Sequence, residues 1–551
     1  MKIYNDKKTI LKWHGSLLIL SLLFSLILSF SAQYPLIMDK YYYQNDMSTH
    51  TWWMYTFQDP ELFQNDYLME LTKKHATIGY KNLHYFASFF TDPITFTKLI
   101  PILLSLITTF YLFLIGKHFK GEITGLIISI IYLLSNYSYQ LSNGLQRSFK
   151  EPLLIIFFYY FIKKKYIKAA TISALTLLFY PPAFLICSAS YFISLIDFKK
   201  INPFRYLSRN QIIGGLLIVT SAASFFLASY NKKDSSNLTL HKRYSWEEMK
   251  ELPEFSRKGA LALFLNKKNK KKYPFNPFGL SRRLMIGFYN YQLPSIYISL
   301  MLLFILGFPA LKLQKEVYCL LAAGLILYII AFHFFSLLYL PSRYQNSVIS
   351  LFLLMFIGIN LGKAYEKIID DFRKKKILTL CIKCIPFFLC LIAFLFSYKL
   401  NFIKPKGYKK VAHRNFYKFL STLPKDSLIA GPPSIMNETP LFSKRSAYTT
   451  EKFQDKDPEI KRRTFLFFKA YYASNFEEIK KFAKKEKVDY IVVQKDHFKN
   501  KRYTKRNYYS PYYELIKGIT SNRKDFAILR PNPEDIIFES DKLTVFKCDW
   551  D

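Results

Sequence analysis

The chain has 551 residues, with 78 Lys and Arg against 39 Asp and Glu, a formal charge of +39, and 51% hydrophobic residues. Its apolar residues fall into blocks near the ~20 residues that cross a bilayer, recurring from residue 14 to 397, which excludes a wholly soluble protein. The charge excludes less: lysines flank the apolar blocks and crowd the C-terminal part without a nucleic-acid motif, so membrane lipids and lipid-linked phosphates are expected partners and nucleic acid is not.

The first block, Leu17–Phe30, follows the basic segment MKIYNDKKTILKW. A secretory signal with cleavage near Ser29-Phe30-Ser31 is one reading, and an uncleaved first span is preferred because further spans follow. Next comes a polar loop, YPLIMDKYYYQNDMSTHTWWMYTFQDPELFQNDYLME, carrying Asp39, Asp46, Asp59, Glu61, Asp66 and Glu70. Such a knot of acids is unexpected in so basic a chain. His50-Thr51-Trp52-Trp53, following Asp46, suits a short helix lying on the membrane with its aromatics at the interface. Asp59-Pro60-Glu61 and Asn65-Asp66 suit turns or helix caps.

Further spans are expected over about 98–115, 122–134, 151–162, 169–196, 211–228, 295–311, 317–339, 348–361 and 377–396. The positive-inside rule decides how to treat 169–196. Split at Pro181-Pro182 into two helices, it gives about 11 spans and puts the short basic loops 117–120, 163–168, 197–210 and 363–376 on one side. The acidic loop (33–95), the Arg147 loop, the long loop 230–293, the Pro341-Ser342-Arg343 turn and residues 398–551 then share the outer face. The C-terminal part reads as a soluble α/β domain: a strand near Asp426–Gly431, a helix over Phe476–Lys487 and a buried-type strand over Val488–Val493. The expected fold class is thus an α-helical polytopic membrane domain, residues 1–397, followed by an extracytoplasmic α/β domain.

A carboxylate at the membrane surface can act as a base or orient an acceptor, and it can bind a divalent ion such as Mg or Mn. Arg147 offers a planar fork for a phosphate, as does Arg343, which stands with Tyr344 between two apolar helices where a charge has few bland uses. Glu151 reads as an acid favoured at a helix N-terminus, and His333, in AFHFFSL, as a buried structural histidine. The six cysteines, including the pair Cys381-x-x-Cys384, lack the second pair a zinc site takes. Asn136, Asn237 and Asn437 head glycosylation sequons, which carry little weight alone.

One long acidic loop after the first span, many spans, and a soluble C-terminal part on the same face resemble the GT-C class of membrane glycosyltransferases, which includes protein mannosyltransferases, oligosaccharyltransferases and aminoarabinose transferases. The resemblance implies a sugar donor on a polyprenyl phosphate, a glycan, lipid or protein acceptor at the outer face of a bacterial inner membrane, and a first-loop aspartate as base or acceptor-positioning group. By position that acid is Asp46, in QNDMSTHTWW, with Asp39 as competitor, Asp66 in support and His50 beside it. The same resemblance gives Arg343 and Arg147 the donor phosphate. The family's paired acid is absent at Asp46, and TKKHATIGYKNLHYF stands where the loop's usual ending would be. A polysaccharide polymerase or ligase, or a non-enzymatic transporter, are the rival readings. A transporter would be expected to carry ionisable residues deep within several spans.

Overall fold

The computed structural model describes residues 2–136, 141–196, 207–231, 313–334, 341–371, 407–453, 457–499, 508, 510–521 and 525–548. The expected spans 295–311 and 377–396, Cys381 and Cys384, Asn237 and the long loop lie outside them.

The first long helix, α1, covers Lys2–Met38. The loop after it holds a short strand β1 (Tyr42–Gln44), the single turn α2 (Met47–His50), a 3-10 segment over Trp52–Phe57, and helices α3 (Tyr67–Lys74) and α4 (Ile78–Ala87). The bundle continues with α5 (Pro93–Lys120), α6 (Glu122–Asn136), α7 (Lys150–Ile162), α8 (Tyr166–Phe179), α9 (Pro181–Leu195), α10 (Arg209–Asn231), α11 (Lys315–His333) and α12 (Ser342–Asp371). Five of these, α1, α5, α10, α11 and α12, are long and apolar enough to cross a membrane, while α6, α8 and α9 are shorter apolar helices.

Local chemistry sets these boundaries. Asp92 accepts from the N–H groups of Ile94 (3.0 Å) and Thr95 (3.1 Å) and so caps α5, with Pro93 at its first position, where a missing N–H costs nothing. Lys117, His118 and Lys120 fill the last turn of α5, where cations favour the helix dipole, and Gly121 ends it at φ +100°. Between α8 and α9, Tyr180 leaves helical geometry at φ −152° because Pro181 disfavours the helical conformation in the residue before it. The split expected at Pro181-Pro182 is therefore present, and the two halves pack against each other.

Helix contacts close a ring: α5 meets α6, α6 meets α12, then α11, α9, α8 and α7 follow in turn, and α7 returns to α5. α1 lies against α5 and α6, and α10 against α8. Between helices in lipid there is little hydrophobic drive, so close backbone approach and polar bonds do the holding. A Cβ added at Gly116 of α5 would come within 2.5 Å of the backbone of Gly125 in α6, so these two helices touch glycine to glycine. Ser25 Oγ and Ser105 Oγ share a hydrogen bond of 2.6 Å between α1 and α5, which makes α1 a packed member of the bundle.

Beyond residue 406, β2 (Tyr408–Lys410) pairs antiparallel with β1 of the first loop, Tyr43 opposite Lys409. A five-stranded sheet follows in the order β4-β3-β5-β7-β6: β3 (Leu428–Ala430), β4 (Ser446–Ala447), β5 (Tyr490–Gln494), β6 (Ile536–Glu539) and β7 (Leu543–Lys547). β3 runs parallel to β4 and β5, and β7 antiparallel to β5 and β6. Helices α13 (Arg414–Leu420), α14 (Thr439–Ser443), α15 (Pro458–Tyr471), α16 (Phe476–Glu486) and α17 (Tyr512–Thr520) accompany the sheet. The strand, helix and strand expected near 426–431, 476–487 and 488–493 are found, with Asn475 capping α16 and Lys487 ending it in the left-handed region at φ +54°.

Two sequence expectations fail here. Trp52 and Trp53 are buried inside the protein instead of facing a membrane interface, because the 3-10 segment turns them inward against Phe63 and Phe57. His333, expected to be buried, is exposed in the last turn of α11, two residues and so a rotation of about 200° from the buried Ala331.

Candidate active site

The first loop leaves the bundle under tight control. Lys98, fully buried in α5, donates from Nζ to the carbonyls of Leu36 (2.6 Å) and Asp39 (3.0 Å). The last carbonyls of a helix have no intrahelical partner, so this ammonium caps α1 and fixes where the loop begins. The β1–β2 pairing then holds Tyr42–Gln44, and the Asp46 N–H donates to Gln44 Oε1 at 2.6 Å.

Asp46 stands just before α2, but its side chain makes no capping bond. Its carboxylate faces two cations instead. Arg147 Nη2 lies 3.0 Å from Oδ2, and Lys452 Nζ lies 3.2 Å from Oδ1. Arg147 comes from a 3-10 segment (Gln146–Phe149) leading into α7, and Lys452 from the region after β4. Partial burial pushes the Asp46 carboxyl up, but Arg147, Lys452 and His50 together outweigh it and hold the group below the usual carboxylate range. His50, in the last turn of α2, goes the other way. Burial brings its imidazole down to about 4, with His75, Arg147 and Lys452 also disfavouring the proton, so it is neutral at neutral pH. Its buried Nδ1 has no hydrogen-bond partner among the described residues.

The other acids have ordinary employment. Asp39 accepts from the Tyr41 N–H (3.0 Å) and pairs with Arg414. Asp59 and Glu61 both pair with Lys425, at 2.9 and 2.7 Å, and Glu70 pairs with Lys73 at 3.4 Å. Asp66 caps α3, accepting from the Met69 N–H at 3.1 Å, and burial raises its carboxyl. The loop's negative charge is thus met largely by Arg414, Lys425 and Lys452, three cations from beyond residue 406. Tyr43 donates to Glu438, Lys409 Nζ lies 2.7 Å from the same carboxylate, and Asn437 Nδ2 donates to Ser48 Oγ at 2.9 Å. Asn437, which heads a sequon, is buried and bonded on both sides, Thr450 Oγ1 donating to its Oδ1 at 2.9 Å.

The second half of the region is built where α7 meets α12. Lys150, three residues after Arg147, is buried and donates from Nζ to the Arg343 carbonyl at 2.6 Å. Glu151, in the first turn of α7, accepts from Ser347 Oγ at 2.9 Å and from the Tyr132 hydroxyl, so it does more than face the helix dipole. Arg343 is half-buried in the first turn of α12, and Tyr344 beside it is buried. The structure therefore brings Asp46, His50, Arg147 and Lys452 into one cluster, joined to Arg343 through the single turn Arg147–Lys150, while Asp39 and Asp66 are engaged elsewhere.

Sequence reasoning missed Lys98, Lys452 and Glu438. Lys98 carried a usable signal, a lysine at the edge of an apolar span with few neutral explanations. Lys452 carried none, being one of 78 basic residues. Among the described residues these donors do not make up a divalent-ion site. Both Asp46 oxygens already meet a cation, Asp39 is paired and Asp66 caps a helix. Among the described residues no three His, Cys, Asp or Glu come together as a metal site would need.

No family model matches the chain, and no curated protein matches it. Solved structures do. The Archaeoglobus fulgidus oligosaccharyltransferase tethered with an acceptor peptide containing the NVT sequon is 11% identical with a TM-score of 0.53, over 92% of this chain and 72% of that one. The same enzyme in the apo form gives 12% and 0.51, over 92% and 72%. The archaeal oligosaccharyltransferase AglB from Archaeoglobus fulgidus, in complex with an inhibitory peptide and a dolichol-phosphate, gives 10% and 0.51, over 88% and 70%. At such identities the likeness speaks for the backbone alone: this chain has the fold of a GT-C membrane glycosyltransferase.

Proposed function

We propose that the protein is a polytopic membrane glycosyltransferase that moves a sugar from a polyprenyl-phosphate-linked donor to an acceptor on the outer face of a bacterial inner membrane. The observation that carries this reading is the Asp46 carboxylate, set by the first loop at the end of the helix ring and held between Arg147 and Lys452. The GT-C fold gives that placement its meaning, and one structural neighbour was solved with a dolichol-phosphate, a carrier of the donor class adopted here.

An acceptor oxygen or nitrogen attacks the anomeric carbon as the bond from that carbon to the phosphate oxygen breaks. The acceptor's proton leaves through Asp46, and the phosphate departs with its new negative charge facing arginine. A carboxylate held low by two cations is a weak base. Its better role is to accept a hydrogen bond from the acceptor, aim the nucleophile, and take the proton late, once attack has made it acidic. Arg343 and Arg147 serve the departing phosphate, since fixed cations act most where charge develops in the transition state. Tyr344 and His50 support the two ends of the site.

Transfer of a radiolabelled sugar from polyprenyl-phosphate donors, measured in membranes, tests this directly. Asp46→Asn and Arg343→Ala should each lower the rate by about two orders of magnitude, the usual scale for a positioned acid or a charge-stabilising donor. Full activity in Asp46→Asn removes the assignment.

A further inference from the structure

The acid of this site is completed by cations that belong to the protein. Arg147 reaches one oxygen of Asp46 and Lys452 the other, at 3.0 and 3.2 Å. A guanidinium is charged at every working pH; burial pushes the Asp46 carboxyl up, and Arg147, Lys452 and His50 bring it below its ordinary range. Magnesium or manganese in the same place would seek near-octahedral oxygen coordination while standing next to two fixed positive charges. Among the described residues no three His, Cys, Asp or Glu gather around this carboxylate as a divalent-ion site would need. The His50 imidazole lies within the field of the same two cations, and the His75 ring stacks on Phe453 at 5.4 Å, next to Lys452 in the chain.

We propose that Lys452 occupies the position a divalent cation would take at this carboxylate, so that Asp46 works without a metal. The lysine arrives from the region after β4, on a segment that Thr450 ties to Asn437, and Asn437 in turn donates to Ser48 of the first loop, each bond 2.9 Å. The charge that orients the acid is therefore delivered by the docking of the C-terminal part, and the acid has its full complement of cations when that docking is made. This inference rests on Asp46 being the working acid of the glycosyltransferase proposed above.

Titration of the purified full-length protein with Mn2+, followed by electron paramagnetic resonance after chelator treatment, reads metal binding independently of turnover. The wild type should hold no Mn2+ that Asp46→Asn loses. Lys452→Glu, which replaces the ammonium by a second carboxylate next to Asp46, should gain an Mn2+ site. An ion bound by the wild type and lost in Asp46→Asn overturns the proposal even if Lys452→Glu fails to fold. Where transfer is measured, a chelator should leave the wild-type rate unchanged, and loss of transfer restored by Mn2+ or Mg2+ also overturns it. A protein with no transfer under any condition contradicts the glycosyltransferase reading, and the titration then decides the metal question by itself.

Discussion

Glu438 is the most heavily used carboxylate at the junction of the first loop with the C-terminal part. It is buried and takes the hydroxyls of Tyr43 and Tyr417 (3.3 Å to Oε2) and the ammonium of Lys409 at 2.7 Å. Glu438→Ala leaves the fully buried Tyr43 hydroxyl without this acceptor, a loss of about 1–3 kcal/mol for a stranded polar group. Tyr417 keeps its bond to the Ile435 carbonyl at 3.1 Å, and Lys409 is half exposed, so that ion pair adds ~0–1 kcal/mol. The expected destabilisation is about 1–4 kcal/mol, with faster proteolysis around residues 407–413. Tyr43→Phe alone should cost about 1–2 kcal/mol, and in the double variant the stranded hydroxyl is gone, so the two changes should fall short of additivity by ~1 kcal/mol or more. Urea titration of the four proteins in detergent closes the cycle. If the two effects sum to within ~0.5 kcal/mol, the Tyr43–Glu438 bond does not clamp this junction.

Two other expectations concern the site's footing and its response to pH. Gly144 sits at φ +67°, and a Cβ there would come within 1.8 Å of the Thr97 carbonyl oxygen. Gly144→Ala should therefore cost about 2–5 kcal/mol in urea titration, from the left-handed backbone plus overpacking, and should lower transfer by displacing Arg147 three residues on. Gly518→Ala, with open space around its Cβ in α17, is the control and should be neutral or slightly stabilising. His497 accepts from Tyr508 at Nδ1 (2.9 Å) or donates to it, and burial holds its imidazole down to about 4. Its folded value lies below its ordinary one, so the unfolded chain binds the proton first as pH falls. Stability is then full above the ordinary histidine range and is lost between about pH 6.5 and 4, by ~2 kcal/mol at pH 5. His50 and His84, at about 4 and about 3, act in the same direction. Urea midpoints across this range should show a smaller slope in His497→Gln, and an unchanged slope would mean another group carries the acid sensitivity.

The membrane helices were legible because their cause is local: long apolar runs, Asp92 as a cap, Lys117–Gly121 as a stop and Pro181 as a break are each read from a few neighbouring residues. The same holds for the strands at 428–430 and 490–494 and the helix between them. Asp46, Arg147 and Arg343 could be named from residue type and from the side of the membrane expected for their loops. Their partners could not. Which of six acids meets two cations from different parts of the chain and which form other ion pairs depends on Arg414, Lys425 and Lys452 returning from several hundred residues away. Trp52 and Trp53, whose composition suits a membrane interface equally well, are buried by the 3-10 turn that sets them against Phe63 and Phe57. By itself the sequence determined the helices, the excess of positive charge and the acidic loop that answers it. Tertiary structure decided the pairing, because a salt bridge is fixed by distance in space, and sequence separation carries almost no information about that distance once the chain has closed a helix ring and folded a sheet against its first loop.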